Sequence, residues 1–250
     1  MKLSKRLQQL DDMVLSGYDH IWDCCCDHGF LGGALLSRQA APNVHFVDIV
    51  AELMNELEQK LNRLHSSSKL NSAVQSNWFT HCIDVAKLPL DQYCGKHLII
   101  IAGVGGDLMN QFINSIQKQY SDLNIDFLLC PVHHQYSLRQ NLISLDFSLK
   151  QECLIEDNKR FYEILLVANY SSSAYKADSK NTKQHKTSKA ISEVGEQIWL
   201  NKSEAEKSVS WRYLNKTLNH YQRIQVGRKQ EVQHIINAYK AIDMPQTFEQ

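Results

Sequence analysis

Apolar residues at Leu3, Leu7, Leu10 and Val14 recur every three or four positions, so the chain opens on a predicted helix over 3–15, with Ser4 placed to cap it. Gly17 breaks that pattern. The period then shortens. Residues 18–24 read as a strand, 31–40 as a helix, 43–47 as a strand, 51–64 as an amphipathic helix with Leu53, Leu57, Leu61 and Leu64 on one face, and 77–83 as a third strand. Residues 96–102 (KHLIIIA) are a continuous apolar run, as expected of a parallel strand covered on both faces. A helix begins near Asp107. Residues 125–130 form a fifth strand stopped by Pro131, and 137–145 a helix. Two β-rich runs, 149–155 and 161–168, flank a turn at 156–159. Five strands alternating with helices and closed by a hairpin predict a doubly wound α/β domain over residues 1–170. Residues 171–190 are rich in Ser and Lys and nearly free of large apolar groups, the composition of a solvated linker. Helical periodicity returns in 191–250. Two helices with a break near 201–203 are expected there, forming a hairpin or docking on the main domain.

Composition narrows the class. Of 250 residues, 43% are hydrophobic, and 27 Lys+Arg balance 27 Asp+Glu, so the chain as a whole is not basic. No run approaches the roughly 20 apolar residues that span a bilayer, and the opening MKLSKRLQQL lacks the apolar core of a signal peptide. Seven cysteines, three of them consecutive, do not suit a disulfide framework. A reducing cytoplasm is the expected setting, with no membrane partner.

The chemistry concentrates in IWDCCCDHGFLGG, residues 21–33. A strand running through small residues into a helix N-terminus presents unpaired backbone N–H groups to a ligand, as nucleoside-like cofactors require. Asp48 ends the second strand at a spacing suited to ribose hydroxyls, and Asp84 ends the third, placed to accept from an adenine amino group. The alternative is that each acid merely caps a loop or helix. A nicotinamide cofactor is disfavoured because G-x-G-x-x-G is absent from the first turn. Adjacent thiols at 24–26 point to opposite faces of a strand and converge poorly on one ion, so no metal is expected. The glycines of IAGVGG (101–106) allow a flat substrate to approach the end of the fourth strand. After the fifth strand, His133 or His134 is placed to stack on a base and Arg139 to hold a phosphate. The basic residues Lys202, Lys207, Arg212, Lys216, Arg223, Arg228 and Lys229 are interleaved with Trp211, Tyr213, His220 and Tyr221, a pattern that suits a phosphate backbone or, equally, an ordinary helix face over an aromatic core.

Taken together these motifs resemble the bacterial tRNA (adenine(22)-N1)-methyltransferases, which use S-adenosylmethionine. The resemblance rests on the LSKRL opening; on Asp23, Asp27, His28, Phe30 and Leu31; on residues 101–106; on Pro131, Leu138 and Arg139; and on 156–165, so it spans most of 3–169. It implies a Rossmann-like class I methyltransferase sheet of seven strands with the last antiparallel, followed by a C-terminal helical hairpin. It implies S-adenosylmethionine as cofactor, S-adenosylhomocysteine as product and tRNA as partner, in a monomer or weak dimer. By the same analogy Asp23, Cys25, Asp48, Asp84, Val85 and Ala102 line the cofactor, and Asp27 is the catalytic acid/base or adenine-orienting group. His28, Phe30, Gly103, Gly105 and Gly106 shape the base pocket. The chain departs from the family pattern at four positions, with Cys25 for Gly, Phe30 for Tyr, Gly32 for Pro and Val132 for Asn. These departures keep two further readings in view: a non-catalytic cofactor- or RNA-binding protein, and a methyltransferase with another substrate.

Overall fold

The structure, a computed structural model, describes residues 3–66, 76–169, 189–200, 203–228 and 231–243. In chain order the elements are α1 (Lys5–Met13), β1 (His20–Cys24), α2 (Phe30–Ser37), β2 (Asn43–Asp48), α3 (Ala51–Ser66), β3 (Asn77–Cys82), β4 (His97–Ala102), α4 (Gly106–Gln119), β5 (Ile125–Cys130), α5 (Gln135–Ser144), β6 (Ser148–Asp157), β7 (Arg160–Ala168), β8 (Lys189–Ala190), α6 (Glu204–Arg228) and α7 (Gln233–Lys240). Ser4 caps α1 by accepting from the Leu7 N–H at 3.3 Å.

The sheet order is β3-β2-β1-β4-β5-β7-β6-β8. The first five strands are parallel, and β7 runs antiparallel between β5 and β6. The order reverses between β1 and β4, which opens a crevice outside their carboxyl ends. The antiparallel β7 starts at that same edge, because Leu165 pairs with Leu129 and the chain before it extends past the ends of the parallel strands. Asn158 and Lys159, both at positive φ, make the two-residue turn that joins β6 to β7. The expected hairpin is therefore present. The two-residue strand β8 pairs with β6 beside it.

The apolar run of β4 is buried on both faces, as expected. Ile99 and Ile101 belong to a core with Trp22, Met109, Ile113 and Leu138, whereas Leu98 and Ile100 join Leu10, Ile21, Leu35 and Leu166 on the opposite face. A third cluster packs α3 on β2 through Phe46, Met54, Leu57 and Leu61.

Across β3, β2, β1 and β4 runs a ladder of histidines. Nitrogen–nitrogen distances are 3.0 Å from His81 to His45 and 3.0 Å from His45 to His20, and His20 Nε2 lies 3.2 Å from the Cys94 carbonyl. A carbonyl only accepts, so His20 carries its proton on Nε2 and accepts on Nδ1. His45 and His81 then follow with the same tautomer. His97 donates from Nε2 to the Tyr93 carbonyl and accepts from the Trp22 indole at 3.1 Å. Every bond in this network is satisfied with all the rings neutral. Burial lowers all four basicities, to about 2 at His45 and about 4 at His97.

The C-terminal region corrects the expectation. Residues 191–200 are not a helix: they run irregularly into a single 3₁₀ turn at Gln197–Trp199. Gly195 takes φ +88°, and the Glu152 carboxylate accepts from the N–H groups of both Glu196 and Gln197 at 2.7 Å. The break between the two helices falls between Arg228 and Gln233 rather than near 201–203, with the Val232 N–H donating to the Gln225 side chain at 2.9 Å. The helices dock through a cluster of Tyr136, Val194, Leu214 and Tyr239. Residues 171–188 of the expected linker, and Lys202 and Lys229 of the basic series, lie outside the described residues. Among the described residues no helix is long and apolar enough to cross a membrane.

Candidate active site

The first turn is built on left-handed backbone. Cys25 has φ +57°, Asp27 φ +51° and Gly29 φ +68°. At Gly29 the positive φ favours glycine, and a Cβ would lie 2.7 Å from the end of the Leu57 side chain, which would have to shift. Cys25 accepts the αL conformation with a side chain, and burial pushes its thiol up to about 12, leaving it protonated and unreactive. The turn is held from the second strand. Asp48 accepts from the Asp27 N–H and from the Val50 N–H, each at 3.1 Å, and the Cys26 N–H donates to the Val47 carbonyl at 3.1 Å.

Asp23 is 4% exposed and accepts from the Gly32 N–H at 2.7 Å. A proline at position 32 would have no N–H to offer, so the glycine of this chain adds a donor to the Asp23 carboxylate. A Cβ there would also lie 2.4 Å from Phe46. Burial raises Asp23 to about 7; the Gly32 bond works against that rise and the Asp48 charge adds to it. Asp84 caps the following 3₁₀ turn by accepting from the Ala86 N–H at 2.9 Å through Oδ1. The Val85 side chain is buried in the core and leaves only its backbone for a ligand.

Asp23, Cys25, Asp27, His28, Phe30 and Ala102, all expected at the site, line one cleft of about 80 Å³. The Asp27 side chain is 70% exposed, with its carboxylate 3.6 Å from His28 Nε2. His28 and Phe30 lean together at a ring separation of 5.7 Å. The glycines after β4 divide by role. A Cβ on Gly105 would lie 2.1 Å from His133, and one on Gly106 would lie 2.4 Å from the His134 carbonyl, so the room at both positions is taken by the loop after β5. The Gly106 N–H donates to the His133 carbonyl at 2.9 Å, and the Val132 N–H to the Val104 carbonyl at 3.0 Å. Gly103, at φ +90°, instead faces Arg6.

Arg139 overturns its assignment. It is fully buried, bonded to Glu163 at 2.7 Å, to Glu152 at 2.6 Å and to the Ser192 carbonyl at 3.0 Å. Tyr213 donates to the other Glu163 oxygen. Arg139 thus ties β6, β7, the segment after β8 and α6 together, and it does not reach a surface phosphate.

A second hollow, about 690 Å³, runs from the loop after β5 and the first turn of α5 to α6 and α7. Its walls include Phe161, Tyr162, Tyr221 and His220 with Arg160 and Lys216, and none of its described lining residues is acidic. Lys216 and Arg212 lie 5.4 and 5.6 Å from the centre of the Phe161 ring. Tyr162 belongs to this groove and Arg6 to the smaller cleft. The Arg6 guanidinium sits 5.2 Å from the centre of the Tyr162 ring, so the two hollows adjoin. Sequence reasoning missed Arg6, although it lies within the LSKRL motif, because a lone arginine on an amphipathic helix has the look of surface.

No curated protein matches the chain. Among solved structures, TrmK of M. capricolum in complex with S-adenosyl-homocysteine superposes with a TM-score of 0.67 at 18% identity, over 96% of this chain and 97% of that one. A putative tRNA (m1A22) methyltransferase of Streptococcus pneumoniae gives 0.66 at 18%, over 96% and 98%, and the B. subtilis m1A22 tRNA methyltransferase TrmK gives 0.61 at 19%, over 96% and 97%. At such identities the likeness is one of fold, and it extends through the C-terminal helices. The family model described as a methyltransferase domain matches residues 3–165, from the capped first helix through most of β7. That stretch contains the strand-end acids and the left-handed first turn, and on this match the chain belongs to the methyltransferase-domain family.

Proposed function

We propose that the protein transfers a methyl group from S-adenosylmethionine to N1 of an adenine in tRNA, in the cytoplasm and as a monomer or weak dimer. The observation that carries this reading is the junction of two unlike hollows at the carboxyl edge of the sheet. One is small, acidic and built from a nucleoside-type turn. The other is aromatic, basic and free of carboxylates among its described lining residues, the chemistry that single-stranded nucleic acid favours. The likeness in fold to tRNA methyltransferases points the same way.

The strand-end residues fit the cofactor. Each Asp48 oxygen accepts one backbone N–H and keeps a second acceptor position for ribose, and Asp84 Oδ2 has no partner among the described residues. Ile49, 71% exposed beside Asp48, offers an apolar surface for an adenine ring. When bound, S-adenosylmethionine supplies a methyl group already activated on a sulfonium, so the protein contributes proximity and orientation. Asp27, on its left-handed backbone, holds the exocyclic amine of the target base and accepts the proton that the amine loses as N1 becomes alkylated. His28 and Phe30 wall the base. Arg160 and Lys216 hold the phosphates on either side of a nucleotide drawn out of its stack.

The test is methyl transfer from labelled S-adenosylmethionine to bacterial tRNA lacking the modification, with mass spectrometry of the product nucleosides. The expected product is 1-methyladenosine. Methylation of a protein or small molecule but not of RNA would refute the tRNA assignment. Asp27→Asn is expected to keep its cofactor affinity and to lose turnover by a factor of roughly 10² to 10⁴. Unchanged turnover removes Asp27 from the mechanism.

A further inference from the structure

A third hollow, about 1220 Å³, shares no described lining residue with the small cleft or the aromatic groove. It is a trough. Its floor is β6, one wall is α1, and the other is the 3₁₀ turn at Gln197–Trp199 with the start of α6. The strand β6 lies near the edge of the sheet. β8 covers it only at Ser148 and Leu149, and beyond the register shift that follows, no strand among the described residues pairs with its outer side. The turn at Asn158 and Lys159 fixes which main-chain groups that side presents. In a two-residue hairpin the flanking pair, here Asp157 and Arg160, exchanges hydrogen bonds. Ile155 and Cys153 therefore also turn toward β7, and Glu152, Leu154 and Glu156 aim their N–H and C=O groups outward. Glu152 has this phase, because its N–H donates to the Gln197 side chain at 3.3 Å. The N–H and C=O groups of Leu154 and Glu156 have no partner among the described residues. Such a row is a template for another extended chain.

The walls select what that chain carries. Four carboxylates line the trough, from Asp12, Glu152, Glu156 and Glu206, against one cation, Lys5. Glu152 and Glu156 are bonded to Arg139 and Arg212, which leaves Asp12 and Glu206 to outnumber Lys5. That sign repels a phosphate backbone and favours lysine or arginine. Leu200, 68% exposed, and Val209 add apolar surface. We propose that the trough docks an extended, basic segment of a partner protein, which adds as a strand to the outer edge of β6. Main-chain pairing with Leu154 and Glu156 supplies affinity, and side chains falling alternately toward α1 and α6 supply selectivity. Docking there needs neither cofactor nor RNA.

The test is hydrogen exchange in the full chain, read by NMR at the amides of Leu154 and Glu156. The probe is an acetylated hexapeptide with two central valines flanked by lysine pairs. The free chain is expected to exchange both amides readily at every protein concentration, and excess peptide to slow them by roughly tenfold or more. Two control peptides separate strand addition from charge. N-methylation at every residue keeps the cations and removes the donors, and glutamate for lysine keeps the donors and reverses the charge. Each is expected to bind roughly tenfold more weakly or worse. Leu154→Pro removes an outward N–H and spares the pairing with β7, so it is expected to fold and to lose the peptide. No slowing by the lysine peptide, or equal slowing by either control, overturns the proposal. Protection already present in the free chain overturns it in favour of a segment of the chain itself, such as 171–188. Protection that grows with protein concentration overturns it in favour of a second copy.

Discussion

The buried histidine ladder and Asp23 make opposite demands on pH, and the difference between them can be measured. His45 and His97 are fully buried and held neutral, at about 2 and about 4. In the unfolded chain each returns to its ordinary value near 6.5 and takes up a proton as the pH falls. Between pH 7 and pH 5 the unfolded state therefore gains about 2 kcal/mol per histidine that the folded state forgoes. His20 and His81 shift in the same direction. Asp23 runs the other way. Its folded value of about 7 lies above the unfolded one, so the folded state binds that proton first, and the contribution is complete below the unfolded value and is lost as the pH rises through about 7. Over the same interval Asp23 returns about 2 kcal/mol on acidification. Counting these three groups alone, the wild-type chain loses about 2 kcal/mol of stability from pH 7 to pH 5, and Asp23→Asn, which cannot take up the compensating proton, loses about 4 kcal/mol. The assay is urea unfolding at the two pH values, followed by circular dichroism and by the fluorescence of Trp22, which stacks on His45 at 3.8 Å. Equal pH dependence in the two proteins would show that Asp23 titrates as an ordinary surface acid. A midpoint independent of pH in Asp23→Asn would refute the neutral ladder.

Two further outcomes follow from the packing. Arg139→Leu leaves Glu152 and Glu163 buried without their cation and is expected to cost roughly 3–5 kcal/mol in urea unfolding, far more than loss of a surface phosphate contact; a loss below about 1 kcal/mol would contradict the buried triad. Lys216→Glu, at the wall of the aromatic groove, is expected to raise the KM for tRNA with little change in kcat and to lower the salt dependence of binding by about one phosphate contact; unchanged tRNA affinity would move the nucleic acid off that groove.

Much of the architecture was legible in one dimension because it rests on local periodicity. The run 96–102 reads as a strand buried on both faces, and the alternation of Leu98 and Ile100 with Ile99 and Ile101 between two cores bears that out. The turn after β1 was legible because strand, small residues and helix start follow one another, and the expected residues Asp23, Cys25, Asp27, His28, Phe30 and Ala102 do share one cleft. Residues 191–200 were misread, because the Glu152 carboxylate that captures their backbone N–H groups lies some 45 positions away in sequence.

Charge placement was the least legible property. Arg139 and Arg6 are both arginines on helices with apolar neighbours, and nothing local separates them. Folding sends Arg139 between two glutamates from β6 and β7, where desolvation is offset by two ion pairs, and sets Arg6 over a tyrosine from β7 with no carboxylate partner among the described residues. The sequence by itself determined the order of elements, the position of the first turn and the acids at the strand ends, because backbone periodicity and turn chemistry act over a few residues. Only the tertiary structure decided which arginine is enclosed by carboxylates, how three histidines become one hydrogen-bonded ladder with His97 stacked on its end, and where an acidic cleft meets an aromatic groove. Those outcomes depend on pairings across the sheet between residues tens to more than a hundred positions apart, for which the local pattern carries no signal.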